Sequence, residues 1–479
     1  MILPKILENK VRRPVAVFGA GVSGNAVARF LAEQGVPATI YDRSGVGGAR
    51  ENFMPEDAEA HDLVVHSPGF PIAHPWMRLA RNAGALCLTE ADFAALFWQA
   101  SSAPAKLLDG EDAAAFMARL SSRLNLTAVT GTNGKTTLTE FLCFAHRKAG
   151  RVSVAVGNNG IPMTSMLFSE MPSIAHPICE ISSFQAECLR YFSPRSVLWT
   201  NFDEDHIDRH GSRENYFRAK FRLVEQQSNL RALLGDFARD SEEARRILAD
   251  RVCVVGESVA AAAREFGVAL PDFVQVATRE EVRGLVPEGS IFETFPQREN
   301  YALARRFWLA RGFPLKELED AARAFTPKEH RLALSAAVET PAGTRVEFWD
   351  DSKGTNFHAV YAALETFPDA PIFWVGGGLG KGGDTEAFCR RLAARVSAAF
   401  LIGETASALA AGFAGTGVPA QVFENLGASV NAAFKAARNA GTPRAVVLFS
   451  PGFASFDMFK SYADRGRQFN RIAEELAGA

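Results

Sequence analysis

The feature that most constrains the fold is the stretch Thr130–Thr137, which reads Thr-Gly-Thr-Asn-Gly-Lys-Thr-Thr. An apolar run, Leu126 to Val129, precedes this stretch, and a helical spacing of apolar residues follows it. A strand, a glycine-containing loop and a helix that opens with Lys-Thr are typical of a phosphate-binding loop. Glycines let backbone N–H groups close on phosphate oxygens, and the helix N-terminus adds positive potential.

The loop departs from the general pattern at one position, because Val129 stands where the usual spacing has a glycine. We therefore interpret it as a shortened variant of the phosphate loop. A strand–helix turn that binds nothing is disfavoured, because Gly-Lys-Thr-Thr after a strand is a specific combination. Lys135 is expected to reach the β- and γ-phosphates, and the Thr136 hydroxyl is expected to bind Mg²⁺.

Length and composition narrow the class of protein. A chain of 479 residues is too long for one core, so three domains are expected. The net charge of -2 argues against the positive surface potential that general nucleic-acid binding requires. Six cysteines without a C-x-x-C pair indicate reduced thiols in a cytosolic protein. We expect no signal peptide, no membrane span and no assembly beyond a monomer.

The first domain, residues 1–100, begins like a dinucleotide-binding βαβ unit. A strand from Pro14 to Phe18 leads into Gly19–Gly24, and a helix from Asn25 to Gln34 is predicted to follow. A second strand, Ala38 to Tyr41, ends in Asp42, which is well placed for a ribose hydroxyl. A third strand runs into the small-residue loop Ser67-Pro68-Gly69. The glycine pattern alone leaves NAD, a nucleotide sugar and a structural turn open.

Residues 101–123 form an Ala/Ser-rich stretch that we interpret as a linker or insertion. The central domain follows, at residues 124–327. The strand-like run Ile178 to Ile181 contains Glu180, and the strand Val197–Thr200 is followed by acids and histidines between Asn201 and His210. Such a dense group after a strand predicts a metal or phosphate site, with a solvated acidic turn as the alternative.

The third domain, residues 328–479, again alternates strands and helices, and its loops are rich in glycine and polar residues. It reads as a Rossmann-like unit without a phosphate loop. The sequence thus predicts an α/β protein of three domains: a Rossmann-like N-terminal domain, a central mixed α/β domain of the P-loop ATPase type and a Rossmann-like C-terminal domain.

Taken together, several stretches resemble the Mur ligases over nearly the whole chain. The stretches that carry this resemblance are Thr130–Thr137, Glu180–Gln185, Glu204-Asp205-His206, Tyr216 with Lys220, His330-Arg331, Asp351-Ser352-Lys353 with Thr355-Asn356, Lys381, and the tail from Ser450 to Gly466. The Asp-Ser-Lys loop and the tail are most similar to the family member that adds D-glutamate. The loops Gly19–Gly24 and Ser67–Gly69 also resemble that member's UDP-binding loops, which favours a UDP-sugar over NAD.

The resemblance implies an activity and its substrates. ATP would phosphorylate the alanyl carboxylate of UDP-N-acetylmuramoyl-L-alanine (UDP-MurNAc-L-Ala), and the amine of D-glutamate would attack the acyl phosphate. This chemistry implies ATP and Mg²⁺ at two sites, in a cytoplasmic enzyme of peptidoglycan precursor synthesis. By resemblance, the metal ligands are Thr136, Glu180, His206 and Lys220, the last after carbamylation by CO₂.

The resemblance also implies roles for individual residues. The catalytic residues would be Lys135, His206, Lys220 and Lys353. The ATP contacts would be Gly131, Thr132, Asn133, Gly134, Lys135, Thr136, Thr137, Asn300, Arg331 and Asp351. The UDP-sugar contacts would be Gly21, Val22, Ser23, Asp42, Arg43, Ser67, Gly69, Asn158, Ser183, Gln185 and His206. The glutamate contacts would be Lys353, Thr355, Lys381, Ser455, Phe456 and Tyr462.

Three departures from the family pattern affect this interpretation. The family's His-Asn-x-x-Asn appears as Glu299-Asn300 with Leu303 in the second Asn place, and an Asn-x-Asp-Asp stretch is reduced to Gly235–Ala238. Phe453 stands where a small residue or cysteine is usual. We expect an active ligase with altered nucleotide contacts. The alternatives are a related amide ligase with another amino acid or acceptor, a slow ATP-hydrolysing binding protein, and a dehydrogenase that uses Gly19–Gly24.

Overall fold

The computed structural model describes residues 3–102, 125–168, 175–238, 248–249, 251–327, 330–380 and 382–478. The predicted linker at 101–123 lies outside these ranges apart from its first two residues, and Lys381 also lies outside them. The chain forms two compact units. The first comprises Met1–Phe202, Glu214–Ser290 and Glu299–Phe325, and the second comprises Asp203–Arg213, Ile291–Arg298 and Thr326–Ala479.

The first sheet lies in the first unit. Its strands and the helices between them are β1 (Val15–Phe18), α1 (Val22–Glu33), β2 (Ala38–Tyr41), α2 (Pro55–Ala60), β3 (Leu63–His66), α3 (Pro75–Asn82), β4 (Leu86–Thr89) and α4 (Glu90–Ser102). The strands are parallel in the order β2-β1-β3-β4. The predicted βαβ start is confirmed, although α1 begins three residues before the expected Asn25.

The second sheet is built from the central part of the chain. The elements there are β5 (Thr127–Thr130), α5 (Lys135–Lys148), β6 (Ala155–Gly157), β7 (Ile178–Glu180), α6 (Ser183–Ala186), β8 (Ser196–Trp199), α7 (Ile207–His210), α8 (Arg213–Ala238), β9 (Val252–Gly256), α9 (Glu257–Glu265), β10 (Val274–Ala277), α10 (Gln297–Ala310) and α11 (Leu315–Ala324). The strand order is β10-β9-β8-β5-β7-β6, and all described pairs are parallel. Parallel strands covered on both faces are apolar throughout, as the fully buried β9 illustrates.

The third sheet lies in the second unit. Its elements are β11 (Ala333–Glu339), β12 (Arg345–Asp350), α12 (Phe357–Leu364), β13 (Ile372–Gly376), α13 (Thr385–Ala393), β14 (Ala398–Leu401), α14 (Ala406–Phe413), β15 (Ala420–Val422), α15 (Leu426–Ala437), β16 (Arg444–Phe449) and α16 (Tyr462–Gly478). The strand order is β11-β12-β16-β13-β14-β15, with β11 antiparallel at one edge. The three sheets confirm the predicted α/β class, while the domain boundaries stay predictions.

Two buried acids join the first and second sheets within the first unit. Asp92 on α4 is fully buried, and its carboxylate accepts hydrogen bonds from the three successive backbone N–H groups of residues 190–192. Glu90 accepts from the backbone N–H of Thr164. Both carboxyl groups are buried away from water, and this burial raises the pKa of each.

Two expectations about compartment and membranes can be compared with the structure. All six cysteines are buried and none forms a disulfide. Within the described ranges, no helix is both long enough and apolar enough to cross a bilayer.

Two stacked histidines, His146 and His176, lie in the core beside helix α5. The ring of His146 is fully buried and lies 4.5 Å from that of His176 and 4.7 Å from that of Trp308, measured between centroids. Neither ring nitrogen of His146 has a hydrogen-bond partner among the described residues. Burial lowers the pKa of His146 to about 2 and that of His176 to about 4, and nearby Arg151 and Arg311 add to both shifts.

This pair predicts an acid-sensitive core. Below about pH 6.5 the unfolded chain binds protons that the folded chain excludes, so stability falls as the pH drops. The loss in unfolding free energy between pH 7.5 and 5, measured with urea, should be smaller by about 2 kcal/mol in His146→Phe than in the wild type.

A matched control is Phe307→Leu, which alters the same aromatic group without removing a titrating ring. It should lower stability to a similar extent at both pH values. An unchanged pH dependence in His146→Phe would contradict the assignment.

Candidate active site

The loop between β5 and α5 has the geometry of a phosphate-binding loop. Gly131 and Gly134 have positive φ angles of 147° and 78°. A Cβ atom on Gly131 would lie 1.8 Å from Oγ1 of Thr200, so only glycine fits at this position. Helix α5 begins directly after Gly134, at Lys135.

The end of β8 holds this loop in place. Thr200 Oγ1 donates to the carbonyl oxygen of Asn133 at 2.6 Å. The backbone N–H of Asn133 donates to Asn201 Oδ1 at 2.9 Å, and that of Thr132 donates to the carbonyl oxygen of Asn201 at 3.0 Å. These N–H groups therefore fix the loop conformation, a role that the sequence did not indicate.

Two lysines converge on one carbonyl oxygen of the loop. Lys135 Nζ donates to the carbonyl oxygens of Gly131 and Thr132 at 2.9 and 2.7 Å. Lys220 Nζ, on α8, donates to the same oxygen of Gly131 at 2.7 Å. Lys220 is 1% exposed, and its ammonium group lies 4.7 Å from the centroid of the Tyr216 ring. The shared acceptor brings two positive charges together, an arrangement that suits a polyanion.

Asn300 on α10 lies against the other end of the loop. A Cβ atom on Gly134 would lie 2.7 Å from Asn300 Oδ1, and Asn300 is buried. Leu303, on the same helix, is fully buried in the core. The structure thus brings Asn300 to the loop, whereas the position that departs from the family pattern serves packing. The second departing stretch, Gly235–Ala238, ends helix α8.

Glu180, at the end of β7, is a candidate cation ligand. Its Oε1 accepts a hydrogen bond from Asn158 Nδ2 at 2.8 Å, while its Oε2 is buried without a partner among the described residues. A buried carboxylate oxygen without a partner is costly, and a divalent cation would satisfy it. Thr136, with a 5% exposed side chain, adds an oxygen ligand of the kind Mg²⁺ prefers.

The predicted metal ligands are divided between the two units. In the described ranges, no three His, Cys, Asp or Glu side chains are grouped to hold a metal ion. Thr136, Glu180 and Lys220 belong to the first unit, whereas His206 belongs to the second. Their joint coordination of metal ions stays a prediction.

The loops after β1, β2 and β3 lie at the same edge of the first sheet. Ser67 Oγ is buried without a partner among the described residues, and a Cβ atom on Gly19 would lie 2.6 Å from it. Because Gly19 has no Cβ, the Ser67 hydroxyl can pack directly against the glycine loop. Gly21, Val22 and Gly69 are exposed around it.

Asp42 holds the glycine loop through hydrogen bonds, and its predicted contact with a ribose stays a prediction. Its carboxylate accepts hydrogen bonds from the backbone N–H of Ala20 at 2.8 Å and from the hydroxyl of Ser44 at 2.6 Å, which lowers its pKa. Asp42 thus fixes the glycine loop. The adjacent Arg43 is exposed and stacks over Trp76 at 5.8 Å, and Ser23 lies in the first turn of α1.

The residues after β7 are also ordered by hydrogen bonds. The backbone N–H of Asn158 donates to the carbonyl oxygen of Glu180 at 2.8 Å. Gln185 Oε1 accepts from the backbone N–H of Ser182 at 2.9 Å and so caps helix α6, beside the buried Ser183. The side chain of Gln185 is therefore used in the fold, which sequence reasoning did not anticipate.

In the second unit, His206 lines a cavity together with Thr355, a predicted glutamate contact. His206 has a left-handed backbone, with φ 52°. The cavity measures about 290 Å³, and His206, Thr355 and Asn356 are among its lining residues. Phe453 also lines it and packs edge-on against Phe357 at 5.4 Å. The unusual Phe453 therefore reduces the space in this cavity.

The remaining predicted residues of the second unit lie around the end of β12. Burial raises the pKa of Asp351 to about 7, against the effect of the Ser450 hydroxyl at 2.7 Å and of the nearby Arg331. Arg331 thus lies near Asp351, and the binding of a nucleotide by these two residues stays a prediction. Lys353 Nζ lies 5.0 Å from the centroid of the Tyr462 ring.

Two other predicted glutamate contacts differ in exposure. Ser455 is buried, whereas Phe456 is 72% exposed. An exposed aromatic side chain beside a loop is available to a ligand, but its role stays a prediction.

One buried network was missed by sequence reasoning. His330 Nδ1 lies 2.5 Å from Asp350 Oδ2, and Gly466 makes room for the imidazole, since a Cβ atom there would lie 2.1 Å from Nδ1. Arg465 is fully buried and donates to the carbonyl oxygen of Ser352 at 2.9 Å. Burial lowers the pKa of Arg465 to about 10. The motifs His330-Arg331 and Arg465-Gly466 were visible, but their pairing requires the fold.

The comparisons with known proteins agree with this architecture. Residues 129–266 match the family model of the Mur ligase middle domain, and residues 331–453 match that of the Mur ligase, glutamate ligase domain. A relative from Pelotomaculum thermopropionicum, named UDP-N-acetylmuramoylalanine–D-glutamate ligase, is 29% identical over 98% of this chain and 99% of its own. A relative of the same name from Desulfatibacillum aliphaticivorans is 29% identical over 98% of this chain and 100% of its own.

Among solved structures, MurF from Acinetobacter baumannii has a similar fold. Its TM-score is 0.52 at 16% identity, over 88% of this chain and 93% of that chain. The two matched domains together span more than half of the sequence, and the named relatives align with nearly all of it. The chain therefore belongs to the Mur ligase family.

Proposed function

We propose that this protein is an ATP-dependent ligase that joins D-glutamate to the alanyl carboxyl group of UDP-MurNAc-L-Ala. ADP and inorganic phosphate are the other products. The relatives that carry this activity in their name align with 98% of this chain and with 99% and 100% of their own lengths. We further propose that it acts in the cytoplasm, as a monomer, in the synthesis of peptidoglycan precursors.

The observation that carries this proposal is the convergence of Lys135 and Lys220 on the carbonyl oxygen of Gly131. Two ammonium groups at a glycine loop that opens a helix make a strong site for a triphosphate. In a turn that binds no nucleotide, two ammonium groups on one carbonyl oxygen would repel each other without any compensating interaction. Asn300, next to Gly134, would complete the nucleotide site, together with Arg331 and Asp351 of the second unit.

The chemistry requires positive charge at the reacting groups. A carboxylate is a poor electrophile, so its oxygen first attacks the γ-phosphorus of ATP, and ADP leaves. The amine of glutamate then attacks the acyl carbon of the acyl phosphate, phosphate leaves and the amine loses a proton. The first step joins two anions, which Lys135 would hold together with Mg²⁺. Lys220 would add positive charge only as an ammonium group, whereas as a carbamate it would be a metal ligand.

Magnesium fits the oxygen ligands of the first unit. Thr136 would hold one ion beside the phosphates, and the partnerless oxygen of Glu180 would hold a second with His206 and a carbamylated Lys220. When bound, Mg²⁺ neutralises charge on the phosphoryl oxygens.

The remaining contacts divide between the other two substrates. We propose that Gly21, Val22, Ser23, Asp42, Arg43, Ser67, Gly69, Asn158, Ser183, Gln185 and His206 bind the UDP-sugar, with Asp42 acting through the loop that it holds. Lys353, Thr355, Lys381, Ser455, Phe456 and Tyr462 would bind glutamate. Lysines and hydroxyl groups suit a dicarboxylate.

A phosphate-release assay tests the proposed activity directly. Release should require UDP-MurNAc-L-Ala and D-glutamate together, because the acyl phosphate is consumed only by the amine. Release with L-glutamate or another amino acid in place of D-glutamate would indicate a different amide ligase. Phosphate release that is indifferent to both substrates would indicate an ATP-hydrolysing binding protein, and hydride transfer with NADH would indicate a dehydrogenase.

Lys135→Ala tests the phosphate loop. Loss of this ammonium group should lower turnover by about 100-fold or more. Lys148→Ala removes an exposed lysine from the last turn of the same helix and is the matched control. Both variants should melt at the wild-type temperature. Near-normal turnover in Lys135→Ala would refute the loop assignment.

Lys220 can act as an ammonium group or as a carbamate, and two variants distinguish these forms. If the carbamate is required, Lys220→Arg and Lys220→Ala should both be inactive, and short carboxylates should partly restore only Lys220→Ala. Wild-type protein in ¹³C-bicarbonate should show a carbamate signal in its ¹³C NMR spectrum that both variants lack. An active Lys220→Arg without this signal in the wild type would favour the ammonium form.

A further inference from the structure

The first residue of interest is Asn356, which caps helix α12. Its Oδ1 accepts a hydrogen bond from the backbone N–H of Ala359 at 2.9 Å, as expected of a helix N-cap. Its Nδ2 donates to Asp205 Oδ2, also at 2.9 Å. Because the backbone N–H of Ala359 can only donate, the amide orientation is determined and the NH₂ group must face Asp205. Asn356 is 9% exposed, so water competes little for these bonds.

Asp205 in turn holds His206. Its Oδ1 accepts from the backbone N–H of His206 at 2.9 Å, and its Oδ2 lies 3.6 Å from His206 Nε2. The left-handed backbone of His206 is unfavourable for a residue other than glycine and persists only where its surroundings impose it. Asp205 thus holds the backbone of His206 and lies next to its ring.

We infer that Asn356 is a positioning residue for His206, which it acts upon through Asp205. The inference deepens the proposed function, in which His206 serves the metal and the UDP-sugar. It assigns Asn356 a role beyond the glutamate pocket that its neighbour Thr355 was predicted to form. Through Asp205, the position of His206 therefore depends on the N-terminal end of helix α12, which follows Thr355.

The cavity shared by these residues adds a consequence. Thr355, Asn356, Asp205 and His206 all line the same space of about 290 Å³. A ligand that displaces the start of α12 would pull on Asp205, and therefore on His206. By linkage, a metal ion held at His206 and an amino acid bound at Thr355 would then change each other's affinity by the same factor.

The alternative is that Asn356 merely caps its helix, and the chain offers a matched control for this. Asn425 caps α15 with the same geometry, since its Oδ1 accepts from the backbone N–H of Ala428 at 2.9 Å. Asp384 caps α13 through Ala387 at 2.9 Å, which shows that aspartate serves equally well as a cap here. Asn→Asp therefore preserves the cap at either position and removes only the NH₂ donor.

Asn356→Asp places a second carboxylate against Asp205, whereas Asn425→Asp has no such effect. An aspartate at position 356 cannot donate the hydrogen bond that the Asn356 amide gives to Asp205, so this contact is lost. The side-chain NMR signals of the nine histidines report the result in the ligand-free protein, with His206 assigned through His206→Gln. The His206 signal should shift or broaden in Asn356→Asp, those of His61, His146 and His176 should stay, and Asn425→Asp should match the wild type.

The ligase assay provides the second measurement. In Asn356→Asp the apparent KM for Mg²⁺ should rise about tenfold, as is typical when a group that orients a metal ligand is lost. The KM for ATP should change less, because the phosphate loop is untouched. Asn425→Asp should keep wild-type values throughout.

A reciprocal exchange tests the contact itself. In Asp205→Asn with Asn356→Asp, the donor and the acceptor trade places, so the hydrogen bond can re-form. The double variant should recover part of the His206 signal position and of the melting temperature lost in Asn356→Asp. A wild-type His206 signal in Asn356→Asp, or no recovery in the double variant, would overturn the inference. Absence of ligase activity in the wild type would refute the proposed function alone, since the NMR comparison needs no substrate.

Discussion

The carbonyl oxygen of Gly131 is the point on which the active site depends. It accepts hydrogen bonds from Lys135 and Lys220, two residues that are far apart in the sequence. Gly131 can present this oxygen because it has no Cβ, which would collide with Thr200. Thr200 and Asn201 in turn fix the loop through hydrogen bonds to Asn133. Strand, loop and helix therefore cooperate to hold two cations where a phosphate would bind.

Two buried polar atoms lie where ligands are predicted to bind. Glu180 Oε2 and Ser67 Oγ are buried without partners among the described residues. Each destabilises the ligand-free protein by about 1–3 kcal/mol, a cost that a bound cation or anion would remove. Such sites lie at the carboxyl ends of parallel strands, where ligands of open α/β sheets bind. The ligand-free protein is therefore less stable than it would be if these atoms had hydrogen-bond partners.

Much of the fold could be predicted from the sequence, because parallel strands are continuous apolar runs. The strand β2 matches its predicted bounds, and the phosphate loop was evident from its glycines and from Lys135. The strands β4, β11 and β15 were not predicted; β15 is only three residues long, and β11 is partly exposed along its length.

The parts of the site that were not predicted depend on contacts between distant residues. Asn356 and Asp205 are 151 positions apart, and no local pattern announces their hydrogen bond. The hydrogen bonds from Ala20 and Ser44 to the Asp42 carboxylate were likewise not predicted, and its contact with a ribose stays a prediction. The partners of polar residues at loop ends depend on how distant segments pack, which the sequence alone does not give.

The most direct test is a crystal structure with Mg²⁺ and a non-hydrolysable ATP analogue. We expect Lys135 Nζ to leave the carbonyl oxygens of Gly131 and Thr132 and to contact the β- and γ-phosphates, with Mg²⁺ bound to the Thr136 hydroxyl. A nucleotide bound elsewhere, or a Lys135 that keeps its present hydrogen bonds in the complex, would contradict it.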